Sequence, residues 1–121
     1  MLAEDASERL FQDRVMDCAR ARGWLVFHPA PSQVRPGVWR TDGSGFPDLV
    51  LAHIEHGVIF AELKSAVGKL RPGQEDWQLH LGPWVEYELW RPSDWERIIA
   101  RLEGRPWLGR RPWLEAKPER Y

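Results

Sequence analysis

Asp48-Leu49-Val50-Leu51-Ala52-His53 and Val58-Ile59-Phe60-Ala61-Glu62-Leu63-Lys64 are the two stretches on which the fold turns. Each is a short apolar run, and a turn around Ile54-Glu55-His56 separates them, the pattern of two strands joined as a hairpin. Side chains two apart along a strand share a face, so Glu62 and Lys64 project together. With the turn centred on Glu55, residues whose numbers sum to 110 stand opposite each other. Asp48 then faces Glu62, with Cβ atoms about 4.5–5.5 Å apart. A slip of one residue would throw the two acids onto opposite faces. Their face also carries Val50, Ala52, Val58 and Phe60, and the other carries Leu49, Leu51, Ile59, Ala61 and Leu63. Two apolar faces imply a sheet covered on both sides.

Two carboxylates and a lysine at one end of such a hairpin must be ion-paired, hold a metal or line a cleft. Like charges at this distance repel unless a proton or cation lies between them. Oxygen ligands without Cys or His suit Mg²⁺ or Mn²⁺. A salt bridge between Lys64 and one acid meets the same requirement, and the spacing of three residues leaves both readings open.

Outward from the hairpin, residues 7–22 have Phe11, Val15, Cys18 and Ala19 at helical spacing, with Ser7 as N-cap and Gly23 as a stop. Trp24-Leu25-Val26-Phe27 suggests a strand ending at His28. Residues 29–47, rich in Pro and Gly, read as one long loop, and loops of that length in compact domains are usually functional or disordered. Beyond the hairpin, Ser65-Ala66-Val67-Gly68-Lys69-Leu70-Arg71-Pro72-Gly73 leads into a helix near 73–81. Residues 85–90 alternate as a strand. Ser93-Asp94-Trp95-Glu96 has the capping-box pattern ahead of Ile98, Ile99 and Leu102. The order αβββαβα predicts an α/β domain over residues 1–103, a central mixed sheet flanked by helices. Residues 104–121 form a basic tail that contains Arg-Pro-Trp-Leu twice, at 105–108 and 111–114, and reads as an extended segment.

The 121 residues fit one domain, with 43% hydrophobic and 29% charged residues. No apolar run approaches the roughly 20 residues that span a bilayer, and the acidic start Met1-Leu2-Ala3-Glu4-Asp5 is unlike a signal peptide. Cys18 is the single cysteine, which excludes an intrachain disulfide and fits a reducing cytoplasm. The net charge of −1 excludes a broadly basic nucleic-acid binder. It hides a split: residues 1–103 hold 12 Lys+Arg against 16 Asp+Glu, and 104–121 hold 5 against 2. Any contact with nucleic acid must therefore be local. Eight tryptophans serve packing, base stacking or a partner surface. His28, His53, His56 and His80 lack zinc spacing.

The segment 45–95 resembles the PD-(D/E)xK nuclease superfamily, and within it the virus-type replication-repair nuclease family (VRR-NUC). The resemblance lies in Gly45-Phe46-Pro47-Asp48-Leu49-Val50-Leu51, Phe60-Ala61-Glu62-Leu63-Lys64, Gly68-Lys69-Leu70, Gln74-Glu75-Asp76-Trp77 and Trp90-Arg91-Pro92-Ser93-Asp94-Trp95. The first helix, with Glu8 and Gln12, and Gly23-Trp24 extend it to about 7–102. It implies a restriction-endonuclease-like core and a DNA endonuclease dependent on Mg²⁺ or Mn²⁺. Asp48, Glu62 and the backbone carbonyl of Leu63 would bind the metal, joined in some relatives by an acid matching Glu8. Lys64 would position or activate the attacking water, and Gln74 would stand near the site. Arg35, Arg40, Lys69 and Arg71, in the two flanking loops, are candidate phosphate contacts. Similar stand-alone domains are phage or prophage proteins, homodimers cutting branched DNA such as Holliday junctions in a bacterial or phage-infected cytoplasm. The alternatives are a flap or other DNA nuclease with the same site, a module that only binds DNA or a replication partner, and an interaction domain whose acids are salt-bridged. Opposite facing of Asp48 and Glu62 would exclude the nuclease.

Overall fold

A computed structural model describes residues 3–29, 32–35, 38–40, 44–109 and 111; the side chains of 3–6 and 32–40 lie outside the description. The elements in chain order are α1 (Ala3–Ala21), β1 (Leu25–Phe27), β2 (Ser32–Arg35), β3 (Val38–Arg40), β4 (Leu49–His53), β5 (Gly57–Leu63), α2 (Pro72–Leu81) and β6 (Glu86–Trp90). A 3-10 turn at Pro92–Asp94 then leads into α3 (Trp95–Leu102). β1, β4, β5 and β6 form one sheet in that spatial order, antiparallel except for β5 and β6. The parallel pair requires a crossover, and α2 supplies it. The domain is thus α/β, a mixed four-stranded sheet with three helices.

The β4–β5 register runs Leu49↔Ala61, Val50↔Phe60, Leu51↔Ile59, Ala52↔Val58 and His53↔Gly57, every pair summing to 110 as the hairpin predicts. Leu49, Leu51, Ile59, Ala61 and Leu63 are buried, with Trp90, against Phe11, Val15 and Ala19 of α1 and Ile98 and Leu102 of α3. Trp24 closes this layer, its indole N–H donating to the Leu102 carbonyl at 2.8 Å. The helical stripe predicted for α1 therefore faces the core, with Cys18 half-buried.

Four expectations change. Residues 29–47 are not a single loop: β2 and β3 pair antiparallel within them. Val34, Val38 and Trp39 favour strands, and Pro36-Gly37 between them favours a reversal, so the Pro and Gly content punctuates the segment without unfolding it. The sheet is covered fully on one side only. On the other, Val50, Ala52 and Phe60 are half-buried, and Leu25, Phe27 and Val58 are exposed. Asp94 replaces Ser93 at the cap of α3, and its carboxylate accepts the Arg91 N–H at 2.9 Å. The start of the tail is docked. Trp107 packs against Trp90 with ring centroids 6.3 Å apart, and Arg111 grips Glu88 through Nε–H to Oε1 at 3.0 Å and Nη2–H to Oε2. The rest of the tail, with the second Pro-Trp-Leu, lies outside the described residues.

Glu86 and Glu88 face the helices because β6 pairs in register with the buried residues of β5 (Ile59↔Glu86, Ala61↔Glu88). Arg101 of α3 makes two 2.7 Å hydrogen bonds to Glu86. Glu88 is fully buried, and burial pushes its carboxyl up to about 8 despite Arg111. Without Arg111 the buried Glu88 carboxyl loses both of its arginine donors. Arg111→Ala is therefore expected to destabilise the domain by about 1–3 kcal/mol in urea unfolding. The double variant Arg111→Ala with Glu88→Gln should recover most of that loss; equal losses in both would contradict the pairing.

Candidate active site

Carried one step past Leu49↔Ala61, the last pair of the ladder, the register would set Asp48 opposite Glu62. The Leu63 N–H donates to Asp48 Oδ2 at 2.8 Å, which ties the start of β4 to the end of β5. The two carboxyl groups interact directly. Lys64 shares the Glu62 face by strand alternation, and its own N–H continues the pairing by donating to the Trp90 carbonyl at 3.0 Å. Glu62 is 1% exposed and Lys64 5%.

The N-terminal end of α2 completes this corner. Gly45, at φ +88°, lies so close to α2 that a Cβ there would come within 2.3 Å of the Gly73 carbonyl carbon. Glycine is thus required for the segment leading to Asp48 to pass beneath the helix. Phe46 packs edge-on between Phe60 and Trp77, at 6.0 and 4.9 Å between ring centroids. The Trp77 indole donates to the Ser44 carbonyl at 3.3 Å. So held, α2 projects Gln74 towards the sheet. Its amide N–H donates to Glu62 Oε1 at 3.0 Å, and its Oε1 accepts the Arg71 N–H at 2.8 Å.

Among the described residues, no donor reaches the buried Oε2 of Glu62. Burial, then the Asp48 charge and a hydrogen bond with Asp48, push the Glu62 carboxyl up to about 9, against the opposing pull of Lys64 and Arg71. A desolvated carboxylate oxygen without a donor, beside a second carboxylate, is the arrangement a divalent cation relieves. Asp48 and Glu62 therefore fit a hard oxygen-liganded ion. No group of three or more His, Cys, Asp or Glu side chains suited to a metal gathers among the described residues. Glu8 is turned to the Ser65 N–H at 3.4 Å. It lines, with Arg9, Gln12, His28, Asp48 and Leu63, a cleft of about 310 Å³ that opens onto Asp48. Glu62 lies behind Asp48, outside that lining.

Lys69 and Arg71 are exposed on the connection after Lys64, and Arg71 is near enough to Glu62 to act on its charge. Arg35 and Arg40 lie on β2 and β3, with their side chains outside the description. Three neighbours escape a reading of the sequence. Tyr87 is 1% exposed on the Glu62 face, its phenol pushed up by burial and then by the charges of Glu62 and Asp48. The alternation of residues 85–90 marks a strand but not its neighbours. Arg9 and His28 reach the cleft, and nothing in their spacing announces it before β1 is paired with β4. No family model, curated protein or solved structure matches the chain.

The pH dependence follows from sign alone. Glu62 holds its proton to about 9 in the folded, metal-free protein, against an ordinary value of 4.5. Its contribution is complete below 4.5 and declines as pH rises through that window, by at most about 1.4 kcal/mol per unit. Metal-free Glu62→Gln should thus lose less stability than the parent between pH 5.5 and 8.5, read from melting temperatures. Mn²⁺ should raise the parent's melting temperature more at pH 8 than at pH 5.5 and leave the variant's unchanged. Identical pH slopes and identical Mn²⁺ responses would rule this out.

Proposed function

We propose that this chain is a divalent-metal-dependent DNA endonuclease with a restriction-endonuclease-like core, and that Asp48, Glu62, Lys64 and Gln74 form its active centre. The observation that carries the reading is the direct pairing of Asp48 with the buried carboxyl of Glu62, whose Oε2 meets no donor among the described residues, with Lys64 near enough to act on its charge.

Asp48 and Glu62 would hold Mg²⁺ or Mn²⁺, with the Leu63 carbonyl as a further ligand. When bound, the ion neutralises the two carboxylates and draws electron density from the scissile phosphate. Gln74 holds one oxygen of Glu62 and leaves the other for the ion. The Leu63 N–H orients Asp48 in the same way. The Lys64 ammonium, kept from bulk water by its burial, stabilises the negative charge that develops as water displaces the leaving oxygen. Lys69 and Arg71 are exposed beside this centre and suited to flanking phosphates. The resemblance to VRR-NUC domains supports branched DNA as the substrate and a homodimer as the working form, in a bacterial or phage-infected cytoplasm.

The test offers the protein four-way junctions, flaps, linear duplex and single strands with Mg²⁺, Mn²⁺ or EDTA. Cleavage should need the metal, favour branched substrates and fall about 100-fold or more in Asp48→Asn and in Lys64→Ala. Cleavage indifferent to both substitutions would sink the mechanism. Junction binding without cleavage under either metal would assign the protein to the binding-module class.

A further inference from the structure

Arg91 follows the last residue of β6 and has no part in the centre described above. Its guanidinium reaches back across the β5–β6 pair, and Nη1 donates to the carbonyls of Ser65 at 2.6 Å and Gly68 at 2.7 Å. Its own backbone is fixed in turn, since the Arg91 N–H is taken by Asp94 at 2.9 Å. The carbonyls it grips belong to the connection that begins at Lys64 and carries Lys69 and Arg71.

That connection is stitched from three sides. The Gly68 N–H donates to Ser65 Oγ at 3.0 Å, and the Ser65 N–H reaches Glu8 at 3.4 Å. A Cβ on Gly68 would stand 3.0 Å from Ser65 Oγ and 3.5 Å from both Glu8 Oε1 and Lys64 Cδ, so the turn lies against the stem of Lys64. A segment of this kind, with exposed Lys69, Leu70 half-buried and exposed Arg71, has few apolar contacts to hold its shape. Two charge-assisted hydrogen bonds from one arginine are the strongest restraint it has.

We infer that Arg91 is a positioning residue: by pinning the 65–68 turn it presents Lys69 and Arg71 to the DNA backbone on the side of the site where Lys64 stands. This rests on the nuclease reading for the identity of the ligand, and on the two carbonyl contacts for the restraint itself. Both bonds come from one terminal nitrogen, Nη1, and lysine keeps the charge on a shorter side chain that does not carry its nitrogen so far, so Arg91→Lys isolates the reach.

The experiment measures kcat and KM on a labelled four-way junction with Mg²⁺. The proteins are the full chain, Arg91→Lys, the pair Lys69→Ala with Arg71→Ala, and all three substitutions together. Arg91→Lys should raise KM about ten-fold with a smaller change in kcat, and the Lys69/Arg71 pair should do likewise. Combined, they should exceed the pair alone by less than about two-fold, because Arg91 acts through those cations. A KM unchanged in Arg91→Lys, or effects that multiply, would overturn the inference. Amide exchange separates its failure from that of the nuclease reading. Were the parent to cleave no DNA, that reading falls, and the restraint is still decided by exchange at Gly68. Exchange there should quicken at least about ten-fold in Arg91→Lys at an unchanged melting temperature; unaltered exchange would refute the clamp.

Discussion

The register of β4 on β5 is the constraint from which the rest of the molecule follows. Leu49, Leu51, Ile59, Ala61 and Leu63 must all enter the layer beneath α1 and α3, and a strand's period of two forbids a slip of one residue. The same alignment brings Asp48 to Glu62 on the opposite face. A slip of one residue would drive one acid into the apolar layer, at a cost of several kcal/mol. Burial of the leucines and pairing of the acids are thus one fact, and the core enforces the geometry of the corner above it.

The sheet keeps buried acids under two different arrangements. On the helix side of β6, Glu86 and Glu88 meet Arg101 and Arg111, and their oxygens accept forked hydrogen bonds. On the other face, Glu62 has Asp48 and Tyr87 beside it and the Gln74 amide on one oxygen, and no donor among the described residues reaches the other. The first arrangement is satisfied, and the second is held in deficit by the structure around it. Proteins concentrate such deficits where a ligand makes them good.

The hairpin, its turn and its register were legible because strand periodicity and hydrophobicity agree along both strands. α1 and α3 were legible from apolar spacing, with ends displaced by a few residues. The second hairpin was hidden by Pro and Gly, which mark reversals and breaks alike. Asp48, Glu62, Lys64 and Gln74 could be placed because local register carries three of them and one helix start the fourth. Tyr87, Arg9 and His28 reach the corner through pairings far apart in the chain, which no local pattern encodes. The Glu88–Arg111 contact is of the same kind: nothing in Arg-Pro-Trp-Leu signals that its second arginine enters a core.

That last contact also bears on the order in which the chain can mature. Glu88 leaves the ribosome 23 residues ahead of the arginine that neutralises it. The segment that carries Arg111 thus acts as a fastener for a strand synthesised before it. Vectorial synthesis and final packing meet at Arg111, well away from the corner where the chemistry is proposed.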